Sequence, residues 1–186
     1  LVRGHRRILL LSVFYGTARF RMDVALWEPP ADLQLNTEIV VITGASSGIG
    51  LALAHELAAR KATLFLGCRD VDKCQRVKPQ GAHVSCLKLD LADLDSVAAF
   101  ARQLRARVDR VDALVLNAGM LMDYGARTAQ GFEESFGVIH LAHFLLTREL
   151  WSLLQRPHPS SDKPARVISH ASAAYMTANF ASLLQG

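Results

Sequence analysis

Residues 39–50 read Ile39-Val40-Val41-Ile42-Thr43-Gly44-Ala45-Ser46-Ser47-Gly48-Ile49-Gly50. The first four residues are β-branched and apolar, and such a continuous run is typical of a strand buried on both faces of a parallel sheet. Three glycines follow, and beyond them apolar residues and alanines recur at helical spacing as far as Arg60. The stretch predicts a buried strand that enters a helix through a glycine-rich turn.

The same alternation continues along the chain. Further strands are predicted at 62–67, 82–89, 111–116 and 166–170, and further helices at 71–77, 93–108 and 131–155. A βαβ series with right-handed crossovers forms a doubly wound parallel sheet with helices on both faces. We therefore expect a Rossmann-like α/β fold with strand order 3-2-1-4-5, in which a sixth and seventh strand have no counterpart before Gly186.

The composition favours one globular domain. The chain has 186 residues, of which 51% are hydrophobic and 20% charged, enough for a sizeable core. Its formal net charge of +4 is concentrated at one end, because residues 1–22 carry five Arg and no acid. Residues 23–186 hold 16 basic and 17 acidic side chains. The domain is close to neutral, so we expect no nucleic-acid partner.

The first part of the chain differs in pattern from the rest. Residues 1–36 are expected to form a leader and a proline-containing linker, and residues 37–186 the N-terminal part of the Rossmann-like domain. The apolar run at 8–15 is far shorter than the roughly 20 residues of a membrane-spanning helix. Two interpretations stay open for residues 1–22, a short interfacial membrane anchor and a frayed leader. The location stays open with them, as the cytoplasm or the cytosolic face of a membrane.

The cysteines and histidines form no pattern typical of a metal site. Cys68, Cys74 and Cys86 contain no C-x-x-C pair and no His at zinc-ligand spacing, so we expect reduced thiols in a reducing compartment. His140 and His143 stand three residues apart on a predicted helix and could share a metal ion, but no third ligand is evident. A structural role for both histidines is favoured.

The glycine turn has the position and the chemistry of a phosphate site. Gly44 permits a tight turn, Gly48 lets the backbone approach a pyrophosphate, and Gly50 lets the helix pack on the sheet. The N-terminus of the helix adds unpaired N–H groups and the positive end of its dipole. No Lys follows Gly50 as it would in a P-loop, which disfavours ATP or GTP hydrolysis. The alternative is that the glycines only make a turn.

Four motifs, in this order, resemble those of the short-chain dehydrogenase/reductase family. Residues 43–50 are similar to its cofactor turn, Leu89-Asp90-Leu91 to its adenine contact, and Asn117-Ala118-Gly119 to its N-A-G motif. Residues 128–147 resemble the T-x-x-G-F-E…F-x-V-N-H-L-G-H-F-L-L-T stretch of the retinol-dehydrogenase-like branch, which includes the WW-domain oxidoreductases. The resemblance covers about residues 37–175.

The resemblance implies a nicotinamide cofactor bound after the first four strands. The residues it implies for cofactor binding are Gly44, Ser46, Ser47, Gly48, Ile49, Gly50, Arg69, Asp90, Leu91, Asn117, Ala118 and Gly119. The second strand ends in Cys68 and Arg69, where sites that prefer NAD place an acid and sites that prefer NADP place an Arg. We therefore expect NADP rather than NAD, unless Asp70 pairs with Arg69.

The family transfers a proton through a serine, a tyrosine and a lysine four residues after the tyrosine, and this set is incomplete in the 186 residues. The resemblance carries the catalytic serine onto Ser172, but no Tyr-x-x-x-Lys occurs in the 186 residues, since Asn179 stands four residues after Tyr175. The position at which the family carries an Asn on the long helix is occupied here by Ile139, whose side chain forms no hydrogen bonds. The chain is expected to be a fragment that is inactive alone, from a parent NAD(P)-dependent oxidoreductase.

The reaction that the resemblance implies is hydride transfer between nicotinamide and a carbonyl or secondary alcohol. Its partner would be a small-molecule carbonyl or alcohol substrate, and the resemblance allows a homodimer. The alternative function is a non-catalytic nucleotide-binding protein, a degenerate or truncated dehydrogenase.

Overall fold

The computed structural model describes residues 8–15, 18–25, 30, 32–81, 83–120, 125–159 and 163–171. The chain divides into two compact units, Leu1–Leu33 and Gln34–Gly186. In the first unit, strands β1 (Ile8–Tyr15) and β2 (Ala18–Ala25) pair in antiparallel register, with Ile8 opposite Ala25. The sequence left this stretch as either an anchor or a frayed leader and did not predict a strand pair.

The second unit is built on a five-stranded parallel sheet. Its strands are β3 (Ile39–Thr43), β4 (Thr63–Cys68), β5 (Val84–Lys88), β6 (Ala113–Leu116) and β7 (Arg166–Ser169). They lie in the order β5-β4-β3-β6-β7, which is the predicted order 3-2-1-4-5. In the centre of the sheet, Ile42 of β3 pairs with Leu66 of β4 on one side and with Val115 of β6 on the other. The Rossmann-like fold is therefore confirmed.

Helices connect the strands as the alternation predicts. They are α1 (Gly48–Ala59), α2 (Val71–Val77), α3 (Leu94–Arg105), α4 (Glu134–Phe136), α5 (Ala142–Glu149) and α6 (Trp151–Leu154), with a π-helical turn at Gly137–Leu141. Within the described residues, no helix combines the length and the apolar character needed to cross a membrane.

The single long helix predicted at 131–155 is divided in the structure. It begins at Glu134 rather than at Gly131, because Gly131 adopts a left-handed φ of +82° and Glu133 caps the first turn by accepting from the N–H groups of Ser135 and Phe136. It then passes through the π-helical turn and is interrupted again at Leu150. The periodic apolar pattern does not distinguish a π-helical turn from an α-helical one.

Apolar layers cover both faces of the sheet. One layer contains Phe100 and Leu104 of α3 with Leu146 of α5, packed with Val41 of β3. The other contains Ile42 and Leu66 with Ala54 of α1. Because Val41 and Ile42 are neighbours in β3 and face opposite layers, both faces of this strand are buried, as its continuous apolar run predicts.

The expectation of three reduced thiols is wrong for two of them, because Cys74 and Cys86 form a disulfide. Helix α2 packs on β5 and brings the two Cα atoms to 6.1 Å, within the usual range for a disulfide. Their separation of 12 residues carries no motif, so only the tertiary packing of α2 reveals the pair. Cys68 remains a free, buried thiol.

Candidate functional site

A cavity of about 630 Å³ opens where the parallel strands end at their carboxyl termini. This is the edge at which open α/β sheets bind ligands. Eleven of the twelve predicted cofactor residues line it, and Gly50 is the exception. The other lining residues are Gly67, Lys73, Leu89, Ala92, Met120, Glu134 and Val138. The fold therefore brings together side chains that are far apart in the sequence.

Gly44 and Gly48 have left-handed backbones and serve different purposes. Gly44 has a φ of +68°, and a Cβ there would lie 2.8 Å from the Cα of Ala118. Gly48 has a φ of +55°, but a Cβ there would meet nothing within 4 Å. Gly44 thus allows two backbone segments to pack closely, whereas Gly48 keeps space free beside the N-terminus of α1.

Gly50 contributes from outside the cavity. It is buried, and a Cβ there would collide with the side-chain amide of Asn117 and lie 2.7 Å from the carbonyl oxygen of Gly44. Its role is to let α1 begin directly against the strand ends, as predicted for the third glycine of the turn.

Asn117 connects the ends of three strands. Its side-chain N–H donates to the carbonyl of Thr43 at 2.8 Å, and its Oδ1 accepts from Nδ1 of His170, after β7, at 2.8 Å. These bonds hold the Asn117-Ala118-Gly119 segment across the end of the sheet, where all three residues line the cavity.

Thr43 is a site residue that the sequence analysis missed. Its fully buried hydroxyl accepts from the backbone N–H of Asn117 at 3.0 Å and from that of Ala118 at 2.9 Å. A hydroxyl at the last position of an otherwise apolar buried strand is itself a signal, because a buried polar group needs hydrogen-bond partners. The sequence does not show which residues supply them.

Arg69 and Lys73 are two cations that line the cavity. Asp70 does not pair with Arg69; its carboxylate caps α2 by accepting from the N–H of Lys73 at 2.8 Å. Among the described residues, no carboxylate lies within ion-pair distance of Arg69. The Nζ of Lys88 donates to the carbonyl of Arg69 at 2.8 Å and fixes the backbone there. Lys73 was not among the predicted site residues. Its side chain reaches the cavity only because of how α2 packs, and the sequence does not show that packing.

Cys68 does not line the cavity. It is 1% exposed and packs in the apolar layer on the α1 side of the sheet. Burial raises the pKa of its thiol above the ordinary 9.0, so the group stays neutral. The strand position that carries an acid in NAD-preferring sites therefore presents no negative charge here.

Asp90 lines the cavity and also stabilises the turn after β5. Its Oδ1 accepts from the N–H of Ala92 at 3.1 Å, and its own N–H donates to the hydroxyl of Ser96 at 3.0 Å. The side chain of Asp90 therefore stabilises the turn after β5 and also lines the cavity, where the resemblance implies an adenine contact.

The histidines on the long helical segment point in different directions. His140 is exposed and stacks on Phe136 with ring centroids 5.3 Å apart, whereas His143 is buried. Across the residues that the structure describes, no group of three His, Cys, Asp or Glu side chains is arranged to bind a metal ion. Ile139, at the position of the family's helix Asn, is 45% exposed in the π-helical turn.

The predicted catalytic serine, Ser172, lies outside the described residues, as do Tyr175 and Asn179. Strand β7 ends at Ser169, three residues before Ser172, at the same edge of the sheet as the cavity. The assignment of Ser172 therefore stays a prediction.

Comparison with known proteins agrees with the geometry. The family profile described as short chain dehydrogenase matches residues 38–182. Retinol dehydrogenase 12 of Mus musculus is 40% identical over 173 residues, which cover 89% of this chain and 53% of that protein. Its Homo sapiens counterpart is 43% identical over 150 residues, which cover 77% of this chain and 46% of that protein. The chain thus spans about half the length of these curated relatives.

A solved structure extends the comparison to the fold. The NADP active-site complex of RhlG from Pseudomonas aeruginosa superimposes with a TM-score of 0.64 at 28% identity, covering 79% of this chain and 59% of that chain. The family profile spans more than half of the chain and includes all the strands of the parallel sheet. This chain belongs to the short-chain dehydrogenase family and is similar to the retinol dehydrogenases within it.

Proposed function

We propose that this chain is the NADP(H)-binding part of an oxidoreductase that transfers hydride between nicotinamide and a small-molecule carbonyl or alcohol. The observation that carries the proposal is the glycine cradle at the sheet edge. Gly48, the first residue of α1, has a left-handed backbone and leaves open space beside it, and it lines a cavity of about 630 Å³. A dinucleotide pyrophosphate needs such close access to a helix N-terminus.

The N-terminus of α1 suits a phosphate group. Its N-cap, Ser47, makes no side-chain hydrogen bond to the helix, and the first turn holds no acidic residue. The first N–H groups of a helix lack partners within the helix and lie at the positive end of its dipole. Ser46, Ser47 and Ile49 line the cavity beside them. Phosphate oxygens would accept hydrogen bonds from these groups without competition from a carboxylate.

The preference for NADP is supported by two positive charges that line the cavity. Arg69 and Lys73 line it, while Cys68 is turned into the core and Asp70 is engaged as a helix cap. A planar guanidinium can bind a phosphate through two parallel hydrogen bonds, and an ammonium adds a second positive charge. NAD has no 2′-phosphate to use these groups.

The chemical step needs groups from two sources. When bound, the nicotinamide ring supplies the hydride chemistry. In this chain, Arg69, Gly48 and the Asn117-Ala118-Gly119 segment would hold and orient the cofactor, and Ser172 would polarise the substrate oxygen. The resemblance implies a Tyr and Lys pair for the accompanying proton, and no Tyr-x-x-x-Lys occurs in these 186 residues. A nucleotide-binding protein without catalysis is the second candidate.

Calorimetric titration of the purified chain with NADPH and with NADH tests the proposal. We expect saturable binding of both, with NADPH bound more tightly. Binding of neither would overturn the proposed function, and tighter binding of NADH would overturn the NADP assignment alone. Assay of a longer protein that contains these residues then separates the two candidates, because only the dehydrogenase oxidises or reduces a substrate.

A further inference from the structure

His143 is a buried polar side chain that the proposed chemistry does not use. It lies on α5, is 6% exposed, and packs against the end of β3. Its Nδ1 is 3.0 Å from the carbonyl oxygen of Ile139, and its Nε2 is 3.0 Å from Oγ1 of Thr43. Both ring nitrogens therefore have a partner.

The partners determine which nitrogen carries the proton. The carbonyl of Ile139 can only accept, so Nδ1 of His143 donates to it. Burial lowers the pKa of His143 below the ordinary 6.5, which keeps the ring neutral. A neutral imidazole protonated on Nδ1 has an acceptor at Nε2, and therefore the Thr43 hydroxyl donates its proton to His143.

The oxygen of the Thr43 hydroxyl also accepts hydrogen bonds, and its donors belong to residues that line the cavity. Its oxygen accepts from the N–H groups of Asn117 at 3.0 Å and Ala118 at 2.9 Å. The carbonyl of Val115 is the other acceptor for its proton, but at 3.4 Å it is the longer contact. The acceptor that takes this proton sets the rotation of the hydroxyl about its C–O bond, and with it the direction of the two oxygen lone pairs.

The position of Ala118 has little freedom, because the left-handed turn at Gly44 packs directly against it. A shift of Ala118 would therefore move the turn or open a gap between two walls of the cavity. The contact from His143 to Thr43 thus acts on residues that line the cavity, although His143 does not line it itself.

We propose that His143 is a positioning residue for cofactor binding, which accepts the Thr43 proton and thereby directs the Thr43 oxygen to the amides of Asn117 and Ala118. This inference rests on the proposed function, since the ligand it concerns is NADPH. It concerns a residue of α5 that is 100 positions from Thr43 in the sequence.

The test compares variants that keep or remove the acceptor. His143→Phe keeps a ring but accepts nothing, and His143→Leu serves as a second apolar replacement if the first does not fold. His143→Gln offers a carboxamide oxygen as an acceptor and an N–H as a donor. Leu150→Ala is the matched control, because it removes a fully buried side chain from the same helical segment without touching Thr43.

Two measurements are made on each folded variant, the Kd for NADPH and the hydrogen exchange of the Asn117 and Ala118 amides. We expect His143→Phe to bind NADPH about tenfold more weakly and to exchange these amides faster. His143→Gln should stay within about twofold of the original chain. Leu150→Ala should lower the stability, leave the Kd for NADPH unchanged, and speed the exchange of the Asn117 and Ala118 amides no more than that of other buried amides of the sheet.

The outcomes separate this proposal from the proposed function. If the original chain binds NADPH and His143→Phe behaves like Leu150→Ala in both measurements, His143 is only a packing residue and the positioning role is wrong, while the proposed function stands. The positioning role is also wrong if His143→Gln loses as much affinity for NADPH as His143→Phe does. If the original chain binds neither NADPH nor NADH, the proposed function fails, and the positioning role fails with it.

Discussion

Gly44 and Ala118 pack backbone against backbone, so that a Cβ on Gly44 would lie 2.8 Å from the Cα and 2.9 Å from the Cβ of Ala118. The two residues follow neighbouring strands, β3 and β6, and are 74 positions apart in the sequence. Their contact joins the glycine turn to the Asn117-Ala118-Gly119 segment. The glycine turn and the Asn117-Ala118-Gly119 segment can therefore pack together only because residue 44 has no side-chain methyl group.

Replacing Gly44 with Ala should destabilise the fold strongly. The added methyl meets backbone atoms that cannot rotate away, and the φ of +68° is unfavourable for Ala. Overpacking and strain together predict a loss of roughly 2–5 kcal/mol in the free energy of unfolding. Urea denaturation gives the value. Gly131→Ala, with a φ of +82° and open space around its Cβ, is the control for strain alone, and an equal loss in both variants would contradict the packing explanation.

Gly48→Ala should weaken NADPH binding more than it weakens the fold. The new methyl points into open space beside the N-terminus of α1, where the proposal places the pyrophosphate, and the φ of +55° adds strain. A β-branched residue such as Val would add more strain at this φ, which makes Ala the cleaner replacement. Calorimetric titration and urea denaturation are compared with those of Gly131→Ala. Equal NADPH affinity in both variants would show that the turn is only structural.

Arg69→Ala should discriminate between the two cofactors. Only NADPH loses a charge-assisted hydrogen bond, so its binding should weaken by about 1.5–3 kcal/mol while NADH binding changes little. Lys73→Ala should act in the same direction, because Lys73 is a second cation that lines the same cavity. Arg76→Ala, on α2 but not at the cavity, is the charge-matched control. Parallel losses for NADPH and NADH would refute the assignment of Arg69 to the 2′-phosphate.

The stability of the fold should fall on acidification through the protonation of His143. Burial lowers the pKa of this residue in the folded chain below the ordinary 6.5, so the unfolded chain takes up a proton first as the pH decreases. Stability is therefore retained above about pH 6.5 and lost progressively below it. Urea denaturation between neutral and mildly acidic pH should show this slope, and His143→Gln should reduce it. His140→Gln, an exposed histidine on the same segment, is the control, and an equal change in both would contradict the assignment.

Local patterns predicted much of the fold because local causes produce it. The apolar run of β3 followed by Gly44 and Gly48 defines a strand, a turn and a helix within twelve residues. Right-handed crossovers then leave few ways to order the strands. The eleven cavity residues were predicted from the resemblance to the family's motifs, and those motifs lie where the strands of the sheet end and the first helix begins.

Contacts between distant residues were not predictable in the same way. The disulfide of Cys74 and Cys86 requires α2 to pack on β5, and no spacing in the sequence indicates that packing. The partner of the Thr43 hydroxyl is His143 on α5, which the sequence presented as one of two equivalent helix histidines. Such pairs depend on the side-chain geometry of the finished fold rather than on periodicity.

A polypeptide of these 186 residues should bind NADPH and yet show no dehydrogenase turnover. Ser172 can polarise a carbonyl, but no Tyr with a Lys four residues later is present to transfer the proton that accompanies hydride transfer. Loss of general acid catalysis alone removes roughly 10² to 10⁴ in rate. The purified chain is assayed with NADPH and a panel of aldehydes and ketones by the loss of NADPH absorbance, with Ser172→Ala and Tyr175→Phe in parallel. Turnover that Tyr175→Phe abolishes would contradict the prediction, because Tyr175 would then act as the acid with Asn179 in place of its lysine.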